Sequence, residues 1–366
     1  MIQLLLDIVF YLVGVAVLAV VSAYAWQRYF TVPTHQDETR YFRTEDGWRL
    51  ALHRYRPPDS KGLPVLLCHG LSANRYIFDL RGAASLACYL RDNGRDAWVV
   101  ELRGSGMSDV PGILCSDVPR DWCFEDHLRF DVPAAIRQVL QFTSAPSVHW
   151  VGHSMGGMLI QAYLGTNGTA PIASAVTIGS PTDPSGMEMD RFSLLLKFKR
   201  IVHALPFFPL PLIGRVISPV APWVADHIIG LFYGRNLAPT TIRRVMALMA
   251  EIVTSSQLWL DFARFLETGR FGPSDGTRYT DGLSASKVPL LAIGGTKDGM
   301  APPRSVCGAV QEANAAGERK CLLLGKSSGC VEDYGHCDLL VGYRSESEVF
   351  PHILDWIETH DHAVGD

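Results

Sequence analysis

Ten consecutive residues, Val148 to Gly157, constrain this chain more than any other stretch. They read Val-His-Trp-Val-Gly-His-Ser-Met-Gly-Gly and match Gly-x-Ser-x-Gly at Gly152, Ser154 and Gly156. An apolar run precedes the motif, and Met158-Leu-Ile-Gln-Ala-Tyr-Leu164 follows it with the spacing of a buried helix. Strand, sharp turn and helix in that order form a nucleophile elbow: the serine sits on a strained turn above a sheet, and glycines flank it where a Cβ would clash. The backbone N–H after the serine, that of Met155, then lies at a helix N-terminus, where free donors and the macrodipole favour a developing oxyanion.

The motif alone is weak, and the chain matches it twice. Gly325-Lys-Ser327-Ser-Gly329 also follows an apolar run, Leu322 to Leu324. Behind Gly329 there is no helical pattern, and too little chain remains to supply an acid and then a histidine. Context therefore selects Ser154.

With 366 residues, 19% charged and 48% hydrophobic, the chain is sized for one large α/β domain with an insertion, or for two domains. A net charge of -4 gives no basic excess for nucleic acid. The eight cysteines contain no Cys-x-x-Cys. Cys68 and Cys88 lie in apolar runs and read as small buried hydrophobes, whereas Cys115 with Cys123, or Cys330 with Cys337, are the pairs whose spacing would allow a bridge in an oxidising compartment.

Residues 8–26 carry no charge. At about 1.5 Å per residue such a helix just crosses a hydrocarbon core of about 30 Å, and Trp26 and Tyr29 suit its interface. A cleaved signal peptide is the rival, because Ala23-Tyr-Ala25 resembles a cleavage site. Against it, no Lys or Arg precedes the run and Asp7 occupies the expected positive region. The expectation is a single-pass N-terminal anchor. Arg28, Arg40 and Arg43 on its C-terminal side place the body in the cytoplasm by the positive-inside rule, with a secreted or periplasmic body after signal cleavage as the alternative.

Beyond the anchor, Tyr41 to Thr44 and Trp48 to Tyr55 flank Asp46-Gly47 as a hairpin. Pro64 to Gly70 is an unalternating apolar strand ending in His69-Gly70-Leu71. Gly70 lets the backbone close in, so the N–H of Leu71 is the candidate second oxyanion donor. Phe78 to Leu90 reads as a helix, Asp96 to Leu102 as a strand, and Arg103 to Asp109 as a strand-end loop without true phosphate-loop spacing. A helix over Glu125 to Phe142, with Pro133 in its first turn, leads to the elbow. Strands are expected at Pro171 to Ile178, Val288 to Ile293 and Arg319 to Leu324, and a closing helix at Phe350 to Ile357.

Between Pro184 and Asp281 the texture changes. Leu194 to Leu205 is amphipathic and basic, Pro206 to Pro222 is proline-rich, Val224 to Tyr233 is apolar, and Ile242 to Leu266 reads as one or two helices. No strand alternation appears, which predicts a helical cap. Phe207, Phe208, Trp223 and Phe232 suit the cap core or bilayer packing as well as substrate contact. The expected organisation is an anchor over 1–30, core over 38–183, cap over 184–281 and core again over 282–366.

A serine hydroxyl needs a base, and the base needs a third group to fix its tautomer. In this layout the order is serine, acid, histidine. Among the histidines, His336 lies in a glycine-containing loop after the last strand. Asp298 follows a buried strand in a glycine-rich turn and precedes Pro302, whereas Asp275 and Asp281 come before that strand and Asp333 is too close to His336. His69 and His153 read as supports of the site.

His69-Gly70, Gly152 to Gly157, Asp298 with Pro302, and Gly335-His336 together resemble the α/β-hydrolase superfamily, in a capped lipase or esterase-like branch. The elbow Gly-His-Ser-Met-Gly-Gly is also similar to that of monoacylglycerol lipases. The resemblance, over about residues 40–360, implies a mostly parallel eight-stranded sheet with helices on both faces. It also implies hydrolysis through an acyl-enzyme without cofactor or metal. A serine at the elbow departs from dehalogenases and epoxide hydrolases, which use aspartate, and from polyhydroxyalkanoate synthases, which use cysteine. The expected activity is cleavage of carboxylic esters, with a lipid or other apolar small molecule as substrate. Acyl transfer through the same triad is the alternative within enzymes. A non-catalytic binding protein on this fold is a third reading that would call for a broken triad.

Overall fold

The structure, a computed structural model, describes residues 2–112, 117–166, 171–184, 186–187, 196–197, 207–208, 214, 217–224, 230–233, 235–248, 251–273, 275–310 and 315–361. Eight strands form one sheet: β1 Glu38–Arg43, β2 Arg49–Tyr55, β3 Val65–Cys68, β4 Ala97–Glu101, β5 Val148–His153, β6 Ile172–Ile178, β9 Leu290–Gly295 and β10 Arg319–Leu324. Two short strands, β7 Phe207–Phe208 and β8 Thr254–Ser255, pair antiparallel on their own.

The sheet order is β1-β2-β4-β3-β5-β6-β9-β10. β2 runs against both β1 and β4, and every other neighbouring pair is parallel. The β1–β2 hairpin turns at Gly47, whose φ of 94° is the left-handed conformation that the Asp-Gly pair foretells.

Strands buried on both faces explain the unalternating runs. Along β3 and β4, Leu66, Cys68, Trp98 and Val100 face one core, while Val65, Leu67, Ala97 and Val99 face the other. The first core is covered by the helices Val132–Thr143 and Met155–Thr166, the second by Leu86–Asp92 and Phe350–Thr359. Trp48, Trp98 and Trp150, each all but fully buried, fill the first. Removing one to alanine there would cost on the order of 3–5 kcal/mol.

Three elements depart from expectation. Phe78 to Ser85 is not helical, because Gly82 takes φ 82° and Ser85 caps the helix that begins at Leu86. The helix expected from Glu125 is interrupted by a π-turn over His127–Asp131, which brings Asp131 to His127 Nδ1 at 2.7 Å and to Arg103. In the segment from Pro184 to Asp281, the described residues include helices Pro239–Leu248 and Ser256–Thr268. The β7–β8 pair corrects the expectation that this segment holds no strand. Leu194 to Leu205 lies largely, and Val224 to Tyr233 in its residues 225–229, outside the described residues.

At the N-terminus, Ile2–Phe30 is one helix of 29 residues, here called α1. Its span Leu6–Phe30 is long and apolar enough to cross a membrane, and its side chains from Phe10 onward are mostly exposed until Gln27 and Phe30 become buried. The linker that follows is held by Asp79, whose buried carboxylate accepts from the His35 backbone N–H, from Tyr55 Oη at 2.9 Å and from Ser85 Oγ at 3.1 Å, with His35 Nδ1 at 2.7 Å.

The cysteine pairing differs from both spacings considered. Cys123, Cys330 and Cys337 are free thiols, and Cys115 lies outside the described residues. The bridge joins Cys307 to Cys321, with 5.6 Å between their Cα atoms. It ties the helix Pro303–Cys307 to β10, two elements brought together by the parallel β9–β10 pairing. Sequence spacing carries no trace of that pairing.

Candidate active site

β5 ends at His153 and a helix begins at Met155, so Ser154 alone makes the turn, with φ 53°. For a residue with a Cβ this is strained backbone that must be over-determined by its surroundings. Here the Ser154 amide donates to Ile178 O at 2.8 Å, and its carbonyl accepts from Gly157 N at 3.0 Å and Met158 N at 3.1 Å. Ser154 is half-buried at the carboxyl end of the central strand.

Each flanking glycine has a steric reason. A Cβ on Gly152 would enter the backbone of Gly156, one on Gly156 would enter the Cys68 carbonyl, and one on Gly157 would meet Ser180. A backbone carbonyl cannot rotate away as a side chain can. Gly156→Ala is therefore expected to destabilise the fold by about 3 kcal/mol or more, read as a fall in the denaturant midpoint at unchanged m value.

Asp298 and His336 meet at the ends of β9 and β10. His336 Nδ1 lies 2.8 Å from Asp298 Oδ2, and both side chains are buried. The other carboxylate oxygen, Oδ1, accepts from Met300 N at 2.8 Å and Ala301 N at 2.7 Å. With Asp298 fixed as an acceptor, Nδ1 of the ring carries the proton and Nε2 is the basic nitrogen. The His336 loop is fixed by Asp338, whose carboxylate accepts from Gly335 N at 2.9 and 3.0 Å; burial pushes the Asp338 carboxyl up to about 7.

The nucleophile turn and the acid–histidine pair touch through two residues. The His153 ring packs on that of His336 with centroids 4.8 Å apart, and its Nε2 donates to His336 O at 3.2 Å. Burial, then the neighbouring His336, hold the His153 pKa well below the usual value, so it is a neutral brace. Gly179 follows the strand residue that anchors Ser154 and takes φ 56°. A Cβ there would stand 3.1 Å from His336 Nδ1 and 3.2 Å from Asp298 Oδ2, so glycine leaves this contact open.

Gly70 closes over the serine: a Cβ on it would lie 2.7 Å from Ser154 Cβ. Leu71, partly buried against the core, is thereby next to the elbow, and Ser72 takes φ 55° to turn the chain away. His69 locks this loop. Its Nε2 accepts from Leu102 N at 3.1 Å, which leaves Nδ1 to donate to Gly70 O at 2.9 Å, and burial lowers its pKa to about 4. The structure thus gathers Ser154, Asp298, His336, Leu71 and Met155 at the carboxyl end of the sheet. Ser327 of the second motif is exposed, in a single turn after edge strand β10.

Two supports were not visible in the sequence. Asn74 Nδ2 donates to Leu248 O at 3.3 Å, joining the Leu71 loop to the helix Pro239–Leu248. Beside it, buried Glu101 accepts from Arg75 Nη1 at 2.8 Å and Met107 N at 2.7 Å and bonds to His53 Nε2 at 3.0 Å. Against burial, which pushes upward, these partners hold its pKa down to about 2. The loop Arg103 to Asp109 is scaffold as well, with Arg103 bonded to Asp131 and Asp46. Among the described residues, one cluster has metal-compatible spacing: His35, Asp79 and Cys88. Its donor atoms are already hydrogen-bonded in the linker tether, so the cluster does not read as a metal centre.

The chain belongs to the α/β hydrolase fold family, whose model matches residues 64–343. It is similar to Triacylglycerol lipase 1 of Arabidopsis thaliana, 24% identical over 86% of this chain and 85% of that one. The gastric triacylglycerol lipase of Rattus norvegicus is 25% identical over 85% and 86%. Lipase 1 of Drosophila melanogaster is 36% identical, over 33% of this chain and 28% of its own length. Among solved structures, an esterase from Thermogutta terrifontis shares the fold with TM-score 0.58 and 17% identity, covering 89% of this chain and all of that one. A membrane phospholipase A does so with TM-score 0.56 and 15% identity, covering 99% of this chain and all of that one.

Proposed function

We propose that the protein is a membrane-anchored serine hydrolase that cleaves carboxylic esters, with apolar acyl chains preferred, through Ser154, His336 and Asp298. The observation that carries the reading is the strained Ser154 turn set against the His336–Asp298 pair. The lipase relatives along most of the chain support the ester class.

In acylation, His336 Nε2 takes the Ser154 proton as Oγ attacks the ester carbonyl carbon. The N–H groups of Met155 and Leu71 receive the oxyanion, and Asp298 stabilises the imidazolium. As the tetrahedral intermediate collapses, the imidazolium proton passes to the leaving alkoxide, which departs as the alcohol. Water then attacks the acyl-enzyme with His336 as base again, releasing the acid and restoring the serine. The segment from 184 to 281 serves as the cap that shapes the acyl site. Its supports are the helices at Pro239–Leu248 and Ser256–Thr268 and the bond from Asn74 to Leu248 beside the oxyanion loop.

Two cues bear on which side of the membrane the body occupies. The positive-inside cue is thin, since Arg40 and Arg43 belong to β1, where Arg40 pairs with Glu38 and Arg43 donates to Gly47 O. That leaves Arg28 as the juxtamembrane charge in the last turn of α1. The Cys307–Cys321 bridge favours an oxidising compartment. We place the body outside the cytoplasm on that ground.

One experiment tests both parts. A fluorophosphonate should label the full chain on the peptide bearing Ser154, and a membrane-impermeant form should label it on intact cells. Labelling on another serine would remove the mechanism; labelling by the impermeant form only after lysis would put the body in the cytoplasm.

A further inference from the structure

The end of α1 is part of the folded body. Gln27 and Phe30 are buried, Val32 packs into the second core, and α1 lies against the helix Pro239–Leu248. That helix also carries the short helix Ala221–Val224, packed on it through Ala221. Beside these contacts stand two large exposed apolar side chains, Val220 at 54% and Trp223 at 61%.

Length fixes the depth of this group. The 25 residues Leu6–Phe30 extend about 37 Å as a helix, against a hydrocarbon core of about 30 Å, and because Gln27 and Phe30 are buried in the body the surplus turn falls at that end, in the headgroup layer. The helix Pro239–Leu248, which packs on α1, ties the segment 218–224 to that level. Four arginines lie on the segments that meet on this helix: Arg28 at the end of α1, Arg81 after the oxyanion loop, and Arg243 and Arg244 on the helix itself. Arg243 Nε donates to Pro219 O at 3.3 Å and Arg244 Nη1 to Arg81 O at 3.1 Å, which places both beside the apolar pair and the linker. None of the four forms a salt bridge within 4 Å of another described residue, although Arg28 lies near enough to Glu251 to act on its carboxylate and Arg81 Nε donates to His35 Nε2 at 3.4 Å.

We propose that Val220 and Trp223, with Arg28, Arg81, Arg243 and Arg244 around them, form a second membrane contact that seats the body on an anionic lipid surface. The proposal rests on reading α1 as bilayer-spanning. Trp suits the boundary between hydrocarbon and headgroups, and arginines outside any salt bridge suit lipid phosphates. The lipid surface is the occupant because α1, joined to this patch through the helix Pro239–Leu248, already enters it. The contact would also hold the helix bonded to Asn74, and with it the oxyanion loop, at a fixed height above the bilayer.

The test uses the full chain in vesicles of phosphatidylcholine and phosphatidylglycerol doped with a phospholipid bearing a photoactivatable acyl chain, with labelled peptides mapped by mass spectrometry. Label is expected within 6–30 and within 218–224. Label on 6–30 alone would overturn the second contact while leaving the anchor in place; no label on 6–30 would remove the anchor reading and this proposal with it. As a second measurement, Trp223→Ser should slow hydrolysis of a long-chain ester presented in these vesicles about fivefold or more, with a soluble short-chain ester unaffected and Trp223→Phe largely restoring the rate. An unchanged vesicle rate, or an equal loss on both substrates, would refute it.

Discussion

Replacing Ser154 by alanine is expected to lower kcat on a soluble ester by about 10⁵- to 10⁶-fold, with the fold unchanged. The size follows from what is lost. Without Oγ there is no acyl-enzyme, and His336 has no hydroxyl to deprotonate; what remains is ester bound beside oxyanion donors, worth about 10³- to 10⁴-fold over water in triad enzymes generally. The fold should tolerate the change, because the bonds that hold the turn come from the Ser154 amide and carbonyl rather than its hydroxyl. Steady-state kinetics and a thermal melt on the same preparation check both halves. A variant retaining a tenth of the rate would mean that another group attacks the ester.

Asp298→Asn should lower kcat by about 10⁴-fold, through a tautomer rather than a vacancy. Oδ1 accepts two amides, Met300 N and Ala301 N, and an asparagine must offer its carbonyl oxygen there. Its NH₂ then occupies the Oδ2 position, 2.8 Å from His336 Nδ1. A donor at that place turns Nδ1 into an acceptor and moves the ring proton to Nε2, so the base is already protonated when the serine needs it. Fluorophosphonate labelling should slow by a similar factor, because it uses the same base. Labelling at the wild-type rate would show that the Asp298–His336 pair has no part in activating the serine.

The core and the elbow were legible because each has a local cause. Runs such as Val65 to Cys68 lack alternation because the sheet is covered on both faces there, and glycines at 152, 156 and 157 answer to clashes within a few ångströms of themselves. Chain order favours Ser154 over Ser327, which is exposed, and points to Asp298 and His336, which are bonded to each other. What escaped was set by partners distant in sequence. Asn74 reaches Leu248, Gly179 faces His336 and Asp298, and Cys307 finds Cys321 across the β9–β10 pairing. The broken helix before Leu86 has the same origin, since Asp79 is drawn away to His35 and Tyr55. The segment from 184 to 281 was read least well, having neither the alternation nor the glycine signals that marked the rest.

The segment from 184 to 281 meets the rest of the body along a seam. Gly106 N donates to Glu251 O at 3.0 Å, Val253 N to Gly104 O at 2.8 Å, and Ser105 bridges Ile252; two more bonds follow, Trp122 N to Ser255 Oγ and Phe124 N to Asp261 Oδ2. Residues 251–261 are in this sense masonry, not hinge. If the segment is the proposed cap, an exchange of it between relatives that cuts the chain after this seam would transplant part of the wall and leave its backbone donors without partners, whereas a cut ahead of Glu251 keeps the joint whole.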